Sequence, residues 1–123
     1  MKKKIIILVV ILVILLLIII LVKSNNSNAQ NYDAFAQCIS SAGAKFYGAS
    51  WCSHCNEQKE MFGKSVKYLP YIECSLPGGS GQIQVCENAN IQAYPTWEFQ
   101  DGTRMEGRLS LEQLAEKTNC PLK

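Results

Sequence analysis

The stretch that most constrains the fold is Phe46-Tyr47-Gly48-Ala49-Ser50-Trp51-Cys52-Ser53-His54-Cys55. It reads as a buried strand that enters a turn and then a helix whose first turn carries two thiols. Cysteines at i and i+3 share one face of a helix, so they can close a small disulfide ring and reopen it with little backbone movement. Unpaired N–H groups and the helix dipole at such a start stabilise a thiolate on the first cysteine, taking its pKa from about 8.5 into a range of roughly 3.5–7.5. Cys52 is therefore the expected nucleophile. Cys55, one turn deeper, is expected to resolve the mixed disulfide that Cys52 forms. His54, between them, is placed to offer the Cys52 thiolate a hydrogen bond or a positive charge, which would make the disulfide more oxidising.

Two other readings compete for the same motif. A zinc site needs four ligands, commonly from a second Cys-x-x-Cys or a histidine pair, and the chain has one histidine and no second Cys-x-x-Cys. No metal is expected. A purely structural disulfide is the other alternative, and the helix-start placement favours redox chemistry over it.

Six cysteines in 123 residues leave Cys38, Cys74, Cys86 and Cys120 besides the helix-start pair. An even count of this density in a small domain points to an oxidising compartment. The formal charge of +2 is divided unevenly. Lys2, Lys3, Lys4 and Lys23 flank an apolar run, and the eight remaining basic residues against ten acidic ones leave −2 beyond it. Nucleic-acid binding has no support in such a distribution.

That run, Ile5 to Val22, is 18 consecutive Ile, Leu and Val residues. As a helix it spans about 27 Å, close to a bilayer core of about 30 Å. Residues 1–23 are expected to be a single-pass anchor with the lysines and the N-terminus cytoplasmic, and with the rest extracytoplasmic. A signal peptide, with Ser27 and Ala29 at the small-residue positions before a cut ahead of Gln30, is the competing reading and would release a secreted form. The apolar stretch exceeds the usual signal core of roughly 7–15 residues, which favours the anchor. Residues 24–31 read as a polar tether, with a weak glycosylation pattern at Asn25-Asn26-Ser27, and 32–123 as the folded domain.

Within that domain Tyr32 to Ala42 has helical apolar spacing, and Ala44 to Ala49 is a strand. The helix after the cysteines runs to Phe62 and stops at Gly63. Tyr71 to Ser75 is a strand, and Leu76-Pro77-Gly78-Gly79-Ser80-Gly81 a loop whose glycines lack the lysine and hydroxyl residue of a phosphate cradle. Gln82 to Asn90 forms a short helix. Trp97–Gln100 and Thr103–Gly107 pair around the turn Asp101-Gly102, and Ser110 with Gln113 caps the last helix. With no strand before the first of these helices, the expectation is an α/β domain on a roughly four-stranded mixed sheet.

Phe46-Tyr47, Trp51-Cys52-Ser53-His54-Cys55 and Tyr94-Pro95-Thr96 resemble the strand, active-site turn and cis-proline loop of the thioredoxin superfamily. The resemblance spans about residues 32–120. Together with Gln58-Lys59, Phe62-Gly63, Leu69-Pro70-Tyr71-Ile72-Glu73-Cys74 and Trp97, these motifs look like the thioredoxin-like domain fused to, or working beside, bacterial homologues of vitamin K epoxide reductase. It implies a thioredoxin-like fold, with Tyr94 and Pro95 holding a substrate beside Cys52. Trp51, next to the expected nucleophile, is expected to form an apolar, partly exposed platform, with a core tryptophan as the alternative. The resemblance also implies reoxidation by a membrane protein similar to vitamin K epoxide reductase, with quinone reached only through that partner. The protein itself would need no cofactor beyond the Cys52–Cys55 disulfide. One departure stands out. Many thioredoxins have a buried carboxylate on the central strand, and aligning Phe46-Tyr47 puts Lys45 there, so Glu73, Glu57 or water is left to take the proton of Cys55.

Four further cysteines allow three connectivities. Cys74 ends a strand and Cys86 lies in the next helix across a Pro-Gly loop; Cys38 and Cys120 sit in the first and last helices, which in thioredoxin-like folds can share a face of the sheet. Cys74–Cys86 and Cys38–Cys120 are therefore expected, as the resemblance also implies. The leading expectation is a membrane-anchored thiol-disulfide oxidoreductase that oxidises exported cysteine-containing proteins. The alternatives are a reductase or isomerase fed by a transmembrane electron donor, and a client-binding module without turnover.

Overall fold

A computed structural model describes residues 1–25 and 30–122 of the chain. It divides into two units, Met1–Gln30 and Asn31–Lys123. The first contains α1, Lys2–Asn25, which is apolar on every side over Ile5–Val22 and is long enough to cross a membrane. An N-terminal signal sequence can meet the same criteria of length and composition. The tether, the candidate cleavage positions and the glycosylation pattern fall mainly on residues 26–29, outside the described residues.

The second unit is a thioredoxin-like α/β fold. Its elements run α2 (Asp33–Ser41), β1 (Lys45–Gly48), α3 (Ser53–Glu60), a 3₁₀ segment (Gly63–Tyr68), β2 (Tyr71–Glu73), α4 (Gln84–Asn88), β3 (Thr96–Glu98), β4 (Arg104–Glu106) and α5 (Leu111–Thr118). The sheet order is β2-β1-β3-β4, with β1 parallel to β2 and antiparallel to β3. The β3–β4 hairpin turns at Asp101-Gly102, where Asp101 accepts from the Thr103 backbone and Gly102 takes a positive φ of 79°.

β1 is central, and its side chains alternate between two cores. Phe46 faces α2, α3 and α5 in a core with Phe35, Ile39, Phe62, Trp97 and Leu114. Its ring stacks on Trp97 at 4.6 Å and meets Tyr71 edge-on at 5.0 Å. Tyr47 faces the opposite side, with Cys74, Cys86 and Ile91. Each core is closed by a disulfide. Cys38–Cys120 joins α2 to the residue group after α5 across a sequence separation of 82, and Cys74–Cys86 joins the end of β2 to α4 across 12. In the chain-entropy account these stabilise the domain by about 4.5 and 3 kcal/mol.

The helix bearing the cysteines is shorter than its sequence suggests. α3 ends at Glu60, and Gly63, at φ 51°, redirects the chain into the 3₁₀ segment. That segment is held by Ser65, which donates to Asp33 at 2.7 Å and accepts from the Tyr32 backbone at 3.1 Å. α5 starts with the Ser110–Gln113 capping box.

A buried amide ties these layers together. Gln58, fully buried on α3, accepts from the indole of Trp97 at 3.3 Å and from the backbone of Leu109 at 2.7 Å, and it donates to the Leu109 carbonyl at 3.1 Å. Gln58→Ala strands three buried partners and is expected to cost about 3 kcal/mol, since each unpaired buried group costs about 1–3 kcal/mol. Denaturant unfolding of the full chain in detergent, followed by tryptophan fluorescence, checks this; a loss under about 0.5 kcal/mol would remove Gln58 from its bracing role.

Candidate active site

The candidate site is built at the C-terminal end of β1, where the strand enters α3. Ala49, Ser50 and Trp51 make the turn: the Cys52 backbone N–H donates to the Ala49 carbonyl at 3.0 Å, and the Asn56 side chain donates to the Ser50 carbonyl at 3.3 Å. Cys52 takes the N-cap position of α3. Its sulfur accepts from the backbone N–H of Cys55 at 3.2 Å, the interaction that an N-cap oxygen ordinarily makes. Cys52 and Cys55 are disulfide-bonded to each other, the first 7% exposed and the second fully buried. Helix-start donors and dipole thus act on Cys52, the thiol nearer solvent.

Trp51 lies at the rim, 61% exposed, with its ring edge-on to Tyr94 at 5.9 Å. The Tyr94–Pro95 peptide is cis, and Pro95 is buried. Gln82 donates to the Tyr94 hydroxyl and, at 3.1 Å, to the Ile91 carbonyl, so the segment before Pro95 is braced by the residue that closes the glycine loop. That loop approaches Trp51 closely: a Cβ on Gly79 would lie 3.6 Å from the indole. Trp51, Tyr94 and the loop therefore form one continuous rim beside Cys52.

His54 is placed differently from the sequence expectation. Its Nδ1 lies 3.3 Å from Glu57 Oε2, one turn along α3, and Arg108 Nη1 approaches the same oxygen at 3.6 Å. In this disulfide state the imidazole is engaged with a carboxylate, not with the Cys52 sulfur. An i,i+3 acid on the same helix face competes for it.

Lys45 does not occupy the buried place assigned to it. It points to solvent and pairs with Glu98 at 2.8 Å, while its neighbour Phe46 fills the interior beneath the site. Strand alternation is the cause, since a shift of one residue exchanges the faces of a sheet. The acidic group near Cys55 comes instead from the neighbouring strand. Parallel pairing sets Glu73 of β2 opposite Gly48 of β1. Glu73 Oε1 accepts from the Ser50 backbone and the Ser75 backbone, both at 3.0 Å, and from the Ser75 hydroxyl; Oε2 accepts from the Tyr71 hydroxyl at 2.8 Å. Burial acts to raise the pKa of Glu73, but these hydrogen bonds outweigh it and hold the carboxyl below its usual range. Burial pushes the Tyr71 hydroxyl far above the ordinary tyrosine range, with the adjacent Glu73 adding to it. Lys59 Nζ lies over the Tyr71 ring, 3.4 Å from its centroid; burial lowers its pKa against the pull of Glu73.

Gln58, Tyr71 and Lys59 were not singled out by chemistry in the sequence. Gly48 was the available signal, because glycine inside a strand marks the close approach of another group. A Cβ there would stand 2.7 Å from Tyr71 Cε2 and 3.1 Å from Cys55 Sγ. Among the described residues, no group of three or more His, Cys, Asp or Glu is arranged to hold a metal ion.

No protein-family model matches the chain. Over 93 residues it is 45% identical to the thiol-disulfide oxidoreductase LTO1 of Arabidopsis thaliana; the match takes in 72% of this chain and 24% of LTO1. The chain thus spans about a quarter of that relative's length.

The crowding at Gly48 gives a direct expectation. Gly48→Ala should destabilise the domain by about 1–3 kcal/mol, the usual cost of overpacking, because the ring of Tyr71 must move. The same unfolding assay measures it, and an unchanged stability would mean that the ring is free to yield.

Proposed function

We propose that the chain is a membrane-anchored thiol-disulfide oxidoreductase in which Cys52 and Cys55 exchange electrons with cysteine pairs of exported proteins. The observation that carries the reading is the Cys52–Cys55 disulfide at the N-cap of α3, with the outer sulfur bonded by a helix N–H and the inner one fully buried. The identity with a thiol-disulfide oxidoreductase supports it. A substrate thiolate attacks Cys52, the Cys52–Cys55 bond breaks and the electron pair goes to Cys55. A second substrate thiol then attacks the substrate sulfur of the mixed disulfide, leaving an oxidised substrate and a reduced Cys52. Trp51, Tyr94 and Pro95 are the residues assigned to hold the substrate, from their place on the rim.

The same reading assigns α1 as a retained anchor, with Lys2, Lys3 and Lys4 on the cytoplasmic side and the α/β unit outside. Electrons then pass to a membrane protein similar to vitamin K epoxide reductase, and on to quinone. This partner and this placement rest on the sequence resemblance and on the lysine asymmetry.

Two variants separate turnover from binding. Cys55→Ser should accumulate a mixed disulfide between Cys52 and client proteins, visible on non-reducing gels, and Cys52→Ser should abolish exchange altogether. Turnover in Cys52→Ser equal to the parent's would leave only a client-binding role. The direction of flow has its own test, in the reduction potential measured against a glutathione buffer. His54→Ala should lower the potential by removing a partner of the Cys52 thiolate. Glu57→Gln should raise it by releasing the imidazole and removing a nearby anion. A change of about 30 mV corresponds to 1.4 kcal/mol. If neither variant moves the potential, His54 has no part in setting it.

A further inference from the structure

We propose that the Tyr71 hydroxyl and the Glu73 carboxylate, with Lys59 over the Tyr71 ring, form the path by which Cys55 gives up and regains its proton. The inference rests on the oxidoreductase reading and specifies one step within it.

Cys55 is buried, so its proton cannot pass freely to bulk water. β1 contributes only Phe46 and Gly48 to this side of the sheet, neither of which can take a proton, and Lys45 is directed away. The nearest acid–base groups belong to β2. Tyr71 Oη and Cys55 Sγ stand 3.3 and 3.1 Å from the same point, the place where a side chain on Gly48 would begin. The two atoms are therefore no more than 6.4 Å apart across the space that a Gly48 side chain would fill, a gap that one water can bridge. From Tyr71 the chain of groups continues to Glu73 Oε2 at 2.8 Å, and Glu73 is only partly buried, so it meets solvent at its outer edge.

The charged and titratable groups around this path come from three elements. α3 supplies Lys59, the segment before Pro95 supplies the Tyr94 hydroxyl, and β2 supplies Tyr71 and Glu73 themselves. Their settings suit the role. Tyr71 stays neutral and able to donate, while Glu73 stays ionised and able to accept. Lys59 offsets the anion that would otherwise oppose a thiolate at Cys55.

The step balances. When Cys55 attacks a mixed disulfide at Cys52, its S–H proton passes to Tyr71 Oη as the Tyr71 proton passes to Glu73. The Cys55–Cys52 bond forms, the bond from Cys52 to the other sulfur breaks, and that partner leaves with the electron pair. Glu73 then releases the proton to water. In the opposite direction Cys55 leaves as a thiolate and is reprotonated along the same path from water.

The aromatic disulfide 5,5′-dithiobis(2-nitrobenzoate) resolves this step in the full chain in detergent, after selective reduction of the Cys52–Cys55 pair. One coloured thiolate is released as Cys52 reacts and a second as Cys55 closes the ring. In Tyr71→Phe the first phase should be unchanged. The second should slow at least about tenfold near pH 6 and then climb with pH as an unassisted thiol of pKa about 8.5 ionises. The parent's second phase should vary little over that range. Glu73→Gln, which keeps oxygen acceptors for Ser50 and Ser75 but loses the charge, should act in the same direction. A second phase in Tyr71→Phe with the parent's rate and pH profile would overturn the path alone. A parent that releases no second thiolate would overturn the oxidoreductase reading, and the path with it.

Discussion

The site depends on the parallel pairing of β1 with β2. That pairing is what sets Gly48 against Glu73 and Phe46 against Tyr71. Through it, a carboxylate on one strand clamps the turn that follows another, since Glu73 holds the backbone N–H of Ser50 two residues before Cys52. The last turn of α3 is in turn fixed by Gln58, which anchors the helix to Trp97 on the far side of β1 and to the approach to α5. A parallel pair cannot be closed by a tight turn and needs a crossover, here α3 and the 3₁₀ segment. The element that carries the chemistry is therefore also the connection that makes the chemistry's support possible.

Local rules carried much of this into the sequence. The Cys52–Cys55 spacing at a strand-to-helix junction, the Asp101-Gly102 hairpin and the Ser110–Gln113 cap each depend on residues a few positions apart, and four strands followed from counting them. What stayed hidden depends on partners distant in the chain. Glu73 could be named from the sequence only as one of three possible acceptors; its hold on the Ser50 N–H, the one donor from outside its own segment, comes from the register of β2 against β1. Gln58 lies in a helix otherwise rich in exposed polar residues, so its burial cannot be read from its neighbours. Lys45 illustrates the sharpest limit: in a strand a displacement of one residue moves a side chain from interior to solvent.

The three disulfides occupy different surroundings. Cys38–Cys120 and Cys74–Cys86 close the two cores on opposite sides of the sheet, and Cys52–Cys55 lies beyond the C-terminal end of the central strand β1, beside an exposed tryptophan. Opening the third leaves both cores cross-linked. The fold therefore does not depend on the Cys52–Cys55 bond for its covalent bracing.

The span of the Cys38–Cys120 bond has a consequence for biogenesis. Ribosomal synthesis delivers Cys38, then Cys52 and Cys55, and only 82 residues after Cys38 its proper partner. For most of its emergence the growing chain therefore holds Cys38 without its partner while Cys52 and Cys55 are already present, so the native bond can close only after the last helix, α5, has been made.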